Sequence, residues 1–199
     1  MPSLDRSLFF WLNLEPGTPA AVVWLARDTS EWLPELALAA GLLALVTGPR
    51  RRWRALLTIV LAMVLAWAAA ALLKELVFSP RPYRLGLGTL WVPHSGGNSF
   101  PSSHASVAMA MAVAAWRMPW PLGLRLALLA AGLLMAWSRV ALGVHFPQDV
   151  LMGMLVGTLA ALLAHAVMRR LPRMGRQPVP VTAPVPLADD AAVSSRDRS

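Results

Sequence analysis

Three short stretches hold the residues of this sequence that are equipped for chemistry. In the first, Lys74 is followed after six residues by Arg81-Pro82, within LKELVFSPRPYR. The second is Ser99-Phe100-Pro101-Ser102-Ser103-His104. The third is Ser138-Arg139, then five residues, then His145, then three residues and Asp149. Together they supply cations, hydroxyls, two imidazoles and a carboxylate, the set that a phosphate ester needs. Lys74, Arg81 and Arg139 offer cationic donors, and arginine's planar fork suits paired phosphate oxygens. Ser102 and Ser103 sit at the start of an apolar helix, where backbone N–H groups, hydroxyls and the helix dipole favour an anion. His145 can attack phosphorus, with Asp149 one helical turn away to hold the ring in the right tautomer and stabilise its positive form. His104 can protonate the leaving oxygen. With three cations neutralising charge on the transferring group, no metal or cofactor is expected.

Taken singly, these residues have plainer readings. A lysine at a helix end snorkels to the interface, Arg81 simply ends a span, and Ser102 or Ser103 caps the helix that begins at His104. His145 and Asp149 form a local pair. Those readings do not explain why three separate loops collect Lys, two Arg, two His and one Asp on one face. Elsewhere, His94 in His94-Ser95-Gly96-Gly97-Asn98 reads as a loop residue within reach of a headgroup, and His165 as structural. Glu75 receives no role, because adjacent helical residues point in different directions.

The elements that must position this set are apolar. The chain is 57% hydrophobic and 14% charged, against about 45–50% and about 25% in soluble domains, which excludes a soluble fold. Apolar blocks run over 33–47, 53–78, 104–116, 121–137 and 147–168, and a hydrocarbon layer is about 30 Å thick. The third and fourth are short, so one end of each is expected at headgroup depth. Leu4 to Ala26 is interrupted by Asn13, Glu15, Pro16, Gly17 and Pro19. It reads as a broken sixth span, a re-entrant hairpin or interfacial helices, with the last two favoured. The fold class is therefore all-α, a polytopic membrane helix bundle with five to six transmembrane helices. Residues 1–32 are expected to form the N-terminal segment, 33–170 the core, and 171–199, with Pro178, Pro180, Pro184 and Pro186, a disordered cytoplasmic tail. Cysteine is absent, which removes disulfides, thiolate metal sites and a thiol nucleophile.

The net charge of +8 lies mainly between apolar blocks, where it sets topology and does not point to nucleic acid. Arg50, Arg51, Arg52 and Arg54 follow the first block, Arg117 and Arg125 flank the third turn, and Arg169, Arg170, Arg173 and Arg176 follow the last block. Alternating spans bring all of them to one side, the cytoplasmic one. The three chemical clusters then share the opposite, extracytoplasmic membrane surface. The single lysine, Lys74, belongs to that outer set.

In order and spacing the three clusters resemble the signatures of the type 2 phosphatidic acid phosphatase family, a superfamily that also includes vanadium haloperoxidases. The resemblance covers about Lys74 to Gly157. It implies a phosphohistidine on His145 oriented by Asp149, leaving-group protonation by His104, and phosphate held by Lys74, Arg81, Ser102, Ser103 and Arg139. Ser103 stands where the family usually has glycine, although its backbone N–H is still available. The stretch Trp137 to Pro147 looks similar to bacterial undecaprenyl-diphosphatases of this family. The expected activity is thus hydrolysis of undecaprenyl diphosphate to the monophosphate, for carrier recycling in a bacterial inner membrane with the site facing the periplasm. Phosphatidylglycerophosphate or phosphatidic acid hydrolysis, or lipid phosphotransfer, are the alternatives. The sequence specifies neither the lipid nor the oligomeric state.

Overall fold

The computed structural model describes residues 3–47, 53–94 and 96–171. Among these residues six α-helices follow one another: α1 (Leu4–Leu12), α2 (Ala20–Thr47), α3 (Trp53–Leu76), α4 (Ser103–Trp116), α5 (Leu122–Ala141) and α6 (Pro147–Arg170), with a 3₁₀ turn over Pro82–Leu85. Among the described residues there is no strand, only an isolated antiparallel bridge between Pro80 and Asn98.

Prolines and glycines bound several of the helices, although Pro34 and Gly41 lie within α2 and Gly153 and Gly157 within α6. α3 contains neither residue and stops ahead of Pro80 and Pro82, whose rings cannot continue a helix. Gly143, at φ 76°, turns the chain after α5, and Pro147 opens α6 at its first position, where a missing N–H costs nothing.

The core is built from small residues. α4 packs against α3, α5 and α6, presenting Ala105, Ala110, Ala112, Ala114 and Ala115, all buried. α6 meets it with Gly153 and Gly157, and a Cβ on Gly157 would fall 2.1 Å from the Ser106 carbonyl oxygen. That closeness lets van der Waals packing hold helices that lipid would not press together. The large side chains face outward: Leu57, Val60, Val64 and Trp67 on α3, and Leu151, Leu155 and Leu159 on α6, are exposed. Among the described residues, three helices, α3, α5 and α6, are long and apolar enough to cross a membrane. α4, with 14 residues, spans about 21 Å, so its shortness agrees with the sequence.

The N-terminal region departs from the block pattern. α2 begins at Ala20 and runs unbroken past the expected boundary at 32/33. Charged Arg27, Asp28 and Glu31 lower the local hydropathy without stopping helix propagation, and the polar Thr29 and Ser30 are buried. α2 leans mainly on α5 and hardly meets α3. α1, with nine residues, spans only about 14 Å. It is tied to the loop before α4 and the end of α5: Asn13 Nδ2 donates to the carbonyls of Thr89 and Ala141, both at 3.0 Å, and its Oδ1 accepts the Thr89 N–H at 2.7 Å. The Gln148 N–H donates to Asp5 at 2.9 Å. Arg50, Arg51 and Arg52, and the tail from residue 172 with Arg173 and Arg176, lie outside the described residues.

Candidate active site

The three clusters converge at one end of the bundle. Lys74 comes from the end of α3, Arg81 from the following loop, His104 from the start of α4, Arg139 from the end of α5, His145 from the α5–α6 turn and Asp149 from the first turn of α6. Arg54 at the other end of the bundle donates to the carbonyls of Met168 and Leu171.

His145 is 2% exposed, and both its ring nitrogens are engaged. Arg81 Nη1 lies 3.2 Å from Nε2 and also donates to the Val144 carbonyl at 3.1 Å. Guanidinium only donates, so Nε2 must accept and therefore carries a lone pair. On the other edge, Nδ1 lies 3.1 Å from Ser99 Oγ, and that hydroxyl donates to Asp149 Oδ2 at 2.5 Å. The hydroxyl has one hydrogen, already given to the carboxylate, so Nδ1 must donate to it. The Phe146 N–H reaches the same carboxylate oxygen at 2.9 Å, as an N3 carboxylate does when it folds back on a helix start. The direct Nδ1 to Oδ2 distance is 3.7 Å, beyond hydrogen-bond length. Asp149 thus acts on the ring through Ser99.

Burial, then the positive charges of Arg139, Arg81 and Lys74, pushes the His145 imidazole well below its ordinary value. It is a neutral ring at pH 7 whose Nε2 lone pair accepts from Arg81. Arg81, 5% exposed, is likewise lowered, chiefly by burial.

The remaining expected residues surround this centre. Arg139 donates to Ser30 of α2, Lys74 Nζ to the Pro101 carbonyl at 2.6 Å, and the Ser102 N–H to the Asp149 carbonyl at 2.9 Å. Among the buried polar atoms of this site, the donors Arg81 Nε, Arg139 Nε and Ser102 Oγ and the acceptor Asp149 Oδ1 have no hydrogen-bond partner. Buried polar atoms are nearly always satisfied, and a cluster of orphaned donors fits an anion with several oxygens. Ser103 and His104 open onto an apolar groove of about 290 Å³, whose walls include Leu33, Met63, Trp67, Val107 and Met111. His104 is exposed at this mouth and is not hydrogen-bonded to the His145 network.

Some participants escaped the sequence reading. Ser99 stands inside the second cluster without a distinguishing spacing. Ser30 is 109 residues from Arg139. Asn98 orders the loop, its amide donating to the Lys74 and Val77 carbonyls at 2.6 Å and its Oδ1 accepting from Ser79 and Phe100. A polar loop residue two positions ahead of a Phe-Pro pair is only a weak signal for that role.

A cationic cradle around a neutral histidine, at one end of a helical bundle with lipid-facing flanks, defines a multi-pass membrane protein built to handle phosphate. The chain belongs to the PAP2 superfamily, which matches residues 37–173. A candidate undecaprenyl-diphosphatase by name, YbjG of Escherichia coli (strain K12), is 28% identical over 173 residues, 84% of this chain and 84% of its own length. Decaprenylphosphoryl-5-phosphoribose phosphatase of Mycobacterium tuberculosis (strain ATCC 25618 / H37Rv) is 35% identical over 155 residues, covering 76% of this chain and 81% of that protein. Among solved structures, Aquifex aeolicus LpxE shares the fold with a TM-score of 0.69 at 23% identity, over 83% of this chain and 96% of that one.

Proposed function

We propose that this phosphatase hydrolyses a polyprenyl diphosphate, with undecaprenyl diphosphate as the substrate and the monophosphate and inorganic phosphate as products. The observation that carries the chemistry is the fixed Nε2 lone pair of His145, set among Arg81, Arg139 and Lys74. The substrate phosphate draws the Arg81 fork onto its own oxygens, uncovering Nε2. Nε2 attacks the terminal phosphorus while the bond to the bridging oxygen breaks, and His104 gives that oxygen a proton. A water then loses its proton to His104 and attacks phosphorus, breaking the P–N bond and releasing phosphate. Asp149, through Ser99, holds the Nδ1 proton and balances the imidazolium as it forms. Lys74, Arg81, Ser102, Ser103 and Arg139 hold the oxygens, and the three cations supply the charge stabilisation that a metal would otherwise give.

The polyprenyl part of the reading is supported by the two relatives named above, both of which carry it in their names. The lipid-facing helices and the groove leading from His104 suit a substrate whose chain stays in the membrane. Arg117, Arg125, Arg169 and Arg170 lie at the opposite end of the bundle, and positive loops stay inside. The site then faces outward from the cytoplasmic membrane in a bundle of five to six spans, with residues 33–170 as the core. The mycobacterial relative favours a second reading, a phosphomonoester on a polyprenyl-linked sugar; phosphatidylglycerophosphate, phosphatidic acid and phosphotransfer follow it. Purified enzyme in detergent tests the proposal: phosphate release from undecaprenyl diphosphate, unaffected by chelator and inhibited by vanadate, is expected. Release only from phospholipid or sugar-linked monoesters would overturn the substrate, and loss of activity in chelator would overturn the metal-free mechanism.

A further inference from the structure

The loop between the 3₁₀ turn and α4 brings a third histidine to the cradle. The His94 ring stands edge-on to Tyr83, centroids 6.4 Å apart at 77°, and the Tyr83 hydroxyl donates to the Gly96 carbonyl at 2.8 Å. That pins the ring against the loop that returns past Arg81. At Gly96 the fit is close: a Cβ there would lie 3.0 Å from Arg81 Nη2, 3.4 Å from Arg81 Nε and 3.1 Å from His94 Nε2. The Arg81 fork and the His94 nitrogen thus converge on one small gap over a residue without a side chain. Arg81 Nε, which faces that gap, is one of the buried donors without a partner.

The position of His94 relative to the reaction matters. Arg81 Nη1 faces His145 Nε2, whereas Nη2 and Nε face the gap shared with His94. His94 therefore stands beyond the edge of the guanidinium turned away from His145. Burial, followed by Arg81, Arg139 and Lys74, lowers it to about 4, so it is a neutral N–H donor at pH 7. A phosphomonoester brings one set of oxygens, already matched by Lys74, Arg81, Arg139 and Ser102. A diphosphate brings a second anionic phosphate on the leaving side, with oxygens that need donors of their own.

We infer that His94 Nε2, together with the outer edge of the Arg81 guanidinium, forms a subsite for the second, non-transferred phosphate of a diphosphate. This rests on the diphosphate reading above. The subsite selects diphosphates over monoesters because only they place an oxygen between these two donors.

The test compares farnesyl diphosphate with farnesyl monophosphate, which share a tail, using the full chain in detergent. His94→Ala lowers kcat/KM for the diphosphate about tenfold or more, the range for a hydrogen bond to a charged group, and changes the monophosphate less than threefold. His94→Gln, which keeps an N–H, recovers much of the loss. Methylenediphosphonate, which cannot be cleaved, inhibits the native enzyme more strongly than inorganic phosphate does, and His94→Ala removes that difference. Equal losses on both substrates, or unchanged diphosphonate inhibition in His94→Ala, would overturn the subsite. A native enzyme that cleaves only the monophosphate would instead sink the diphosphate reading, while stronger diphosphonate inhibition that depends on His94 would still uphold the subsite.

Discussion

Ser99 and Asp149, 50 residues apart in sequence, share one hydrogen across 2.5 Å, and through that bond the carboxylate governs the His145 ring. Removing the hydroxyl leaves Nδ1 without an acceptor and the carboxylate 3.7 Å away. Ser99→Ala should lower kcat about 10- to 100-fold with little change in KM, as expected for a hydrogen bond to a charged group. Steady-state kinetics on the lipid substrate read this directly, and an unchanged kcat would show that Asp149 reaches the ring without help.

His145→Gln should abolish turnover while leaving lipid binding intact. Asp149→Asn should lower kcat by about 10³-fold, because the wrong tautomer is then held. Reactions quenched in alkaline SDS, which preserves the acid-labile P–N bond, with substrate labelled on the terminal phosphate should trap label on native protein and none on His145→Gln. Label on the glutamine variant would move the nucleophile elsewhere.

The lowered imidazoles set the response to acid. His145 lies well below 6.5 and His94 at about 4, whereas in the unfolded chain both take a proton near 6.5. Between those limits the unfolded state binds more protons, so stability is complete above about pH 6.5 and declines as pH falls toward the folded values. Melting temperature in detergent should drop from pH 7 to pH 4.5, and His94→Gln should flatten part of that drop. The acid limb of kcat/KM assigned to His145 should fall below pH 6.5.

Gly157→Ala should destabilise the bundle by about 1–3 kcal/mol, the usual cost of overpacking. The added carbon would meet the Ser106 carbonyl at 2.1 Å and the Ala110 nitrogen at 2.9 Å, both backbone atoms. Thermal melting in detergent measures it. Asn13→Ala should cost about 2 kcal/mol by orphaning the Thr89 and Ala141 backbone groups.

The apolar blocks and the three clusters were legible because each is a local pattern: α3, α4, α5 and α6 announce themselves by composition and proline breaks. Lys74, Arg81, Arg139, His145 and Asp149 announce themselves by spacing. What sequence hides is pairing at long range. Ser30, Asn13 and Ser99 are short polar side chains of the kind that fill any turn or cap, and only the packing of α2, α1 and the loop before α4 reveals what each touches. The full extent of α2 was hidden for a different reason. Hydropathy registers Arg27, Asp28 and Glu31 as an interruption, but helix formation depends on backbone propagation, which those residues do not stop.

The clasp between α4 and α6 couples the candidate site to the integrity of the bundle. The Ser102 N–H holds the Asp149 carbonyl at 2.9 Å, and Gly153 lies so close that a Cβ there would stand 2.5 Å from the Ser102 carbonyl oxygen. The Ser102-bearing start of one helix and the Asp149-bearing start of the other are thus a single joint. Heating cannot loosen that joint without parting the helices, so inactivation and melting should trace the same curve.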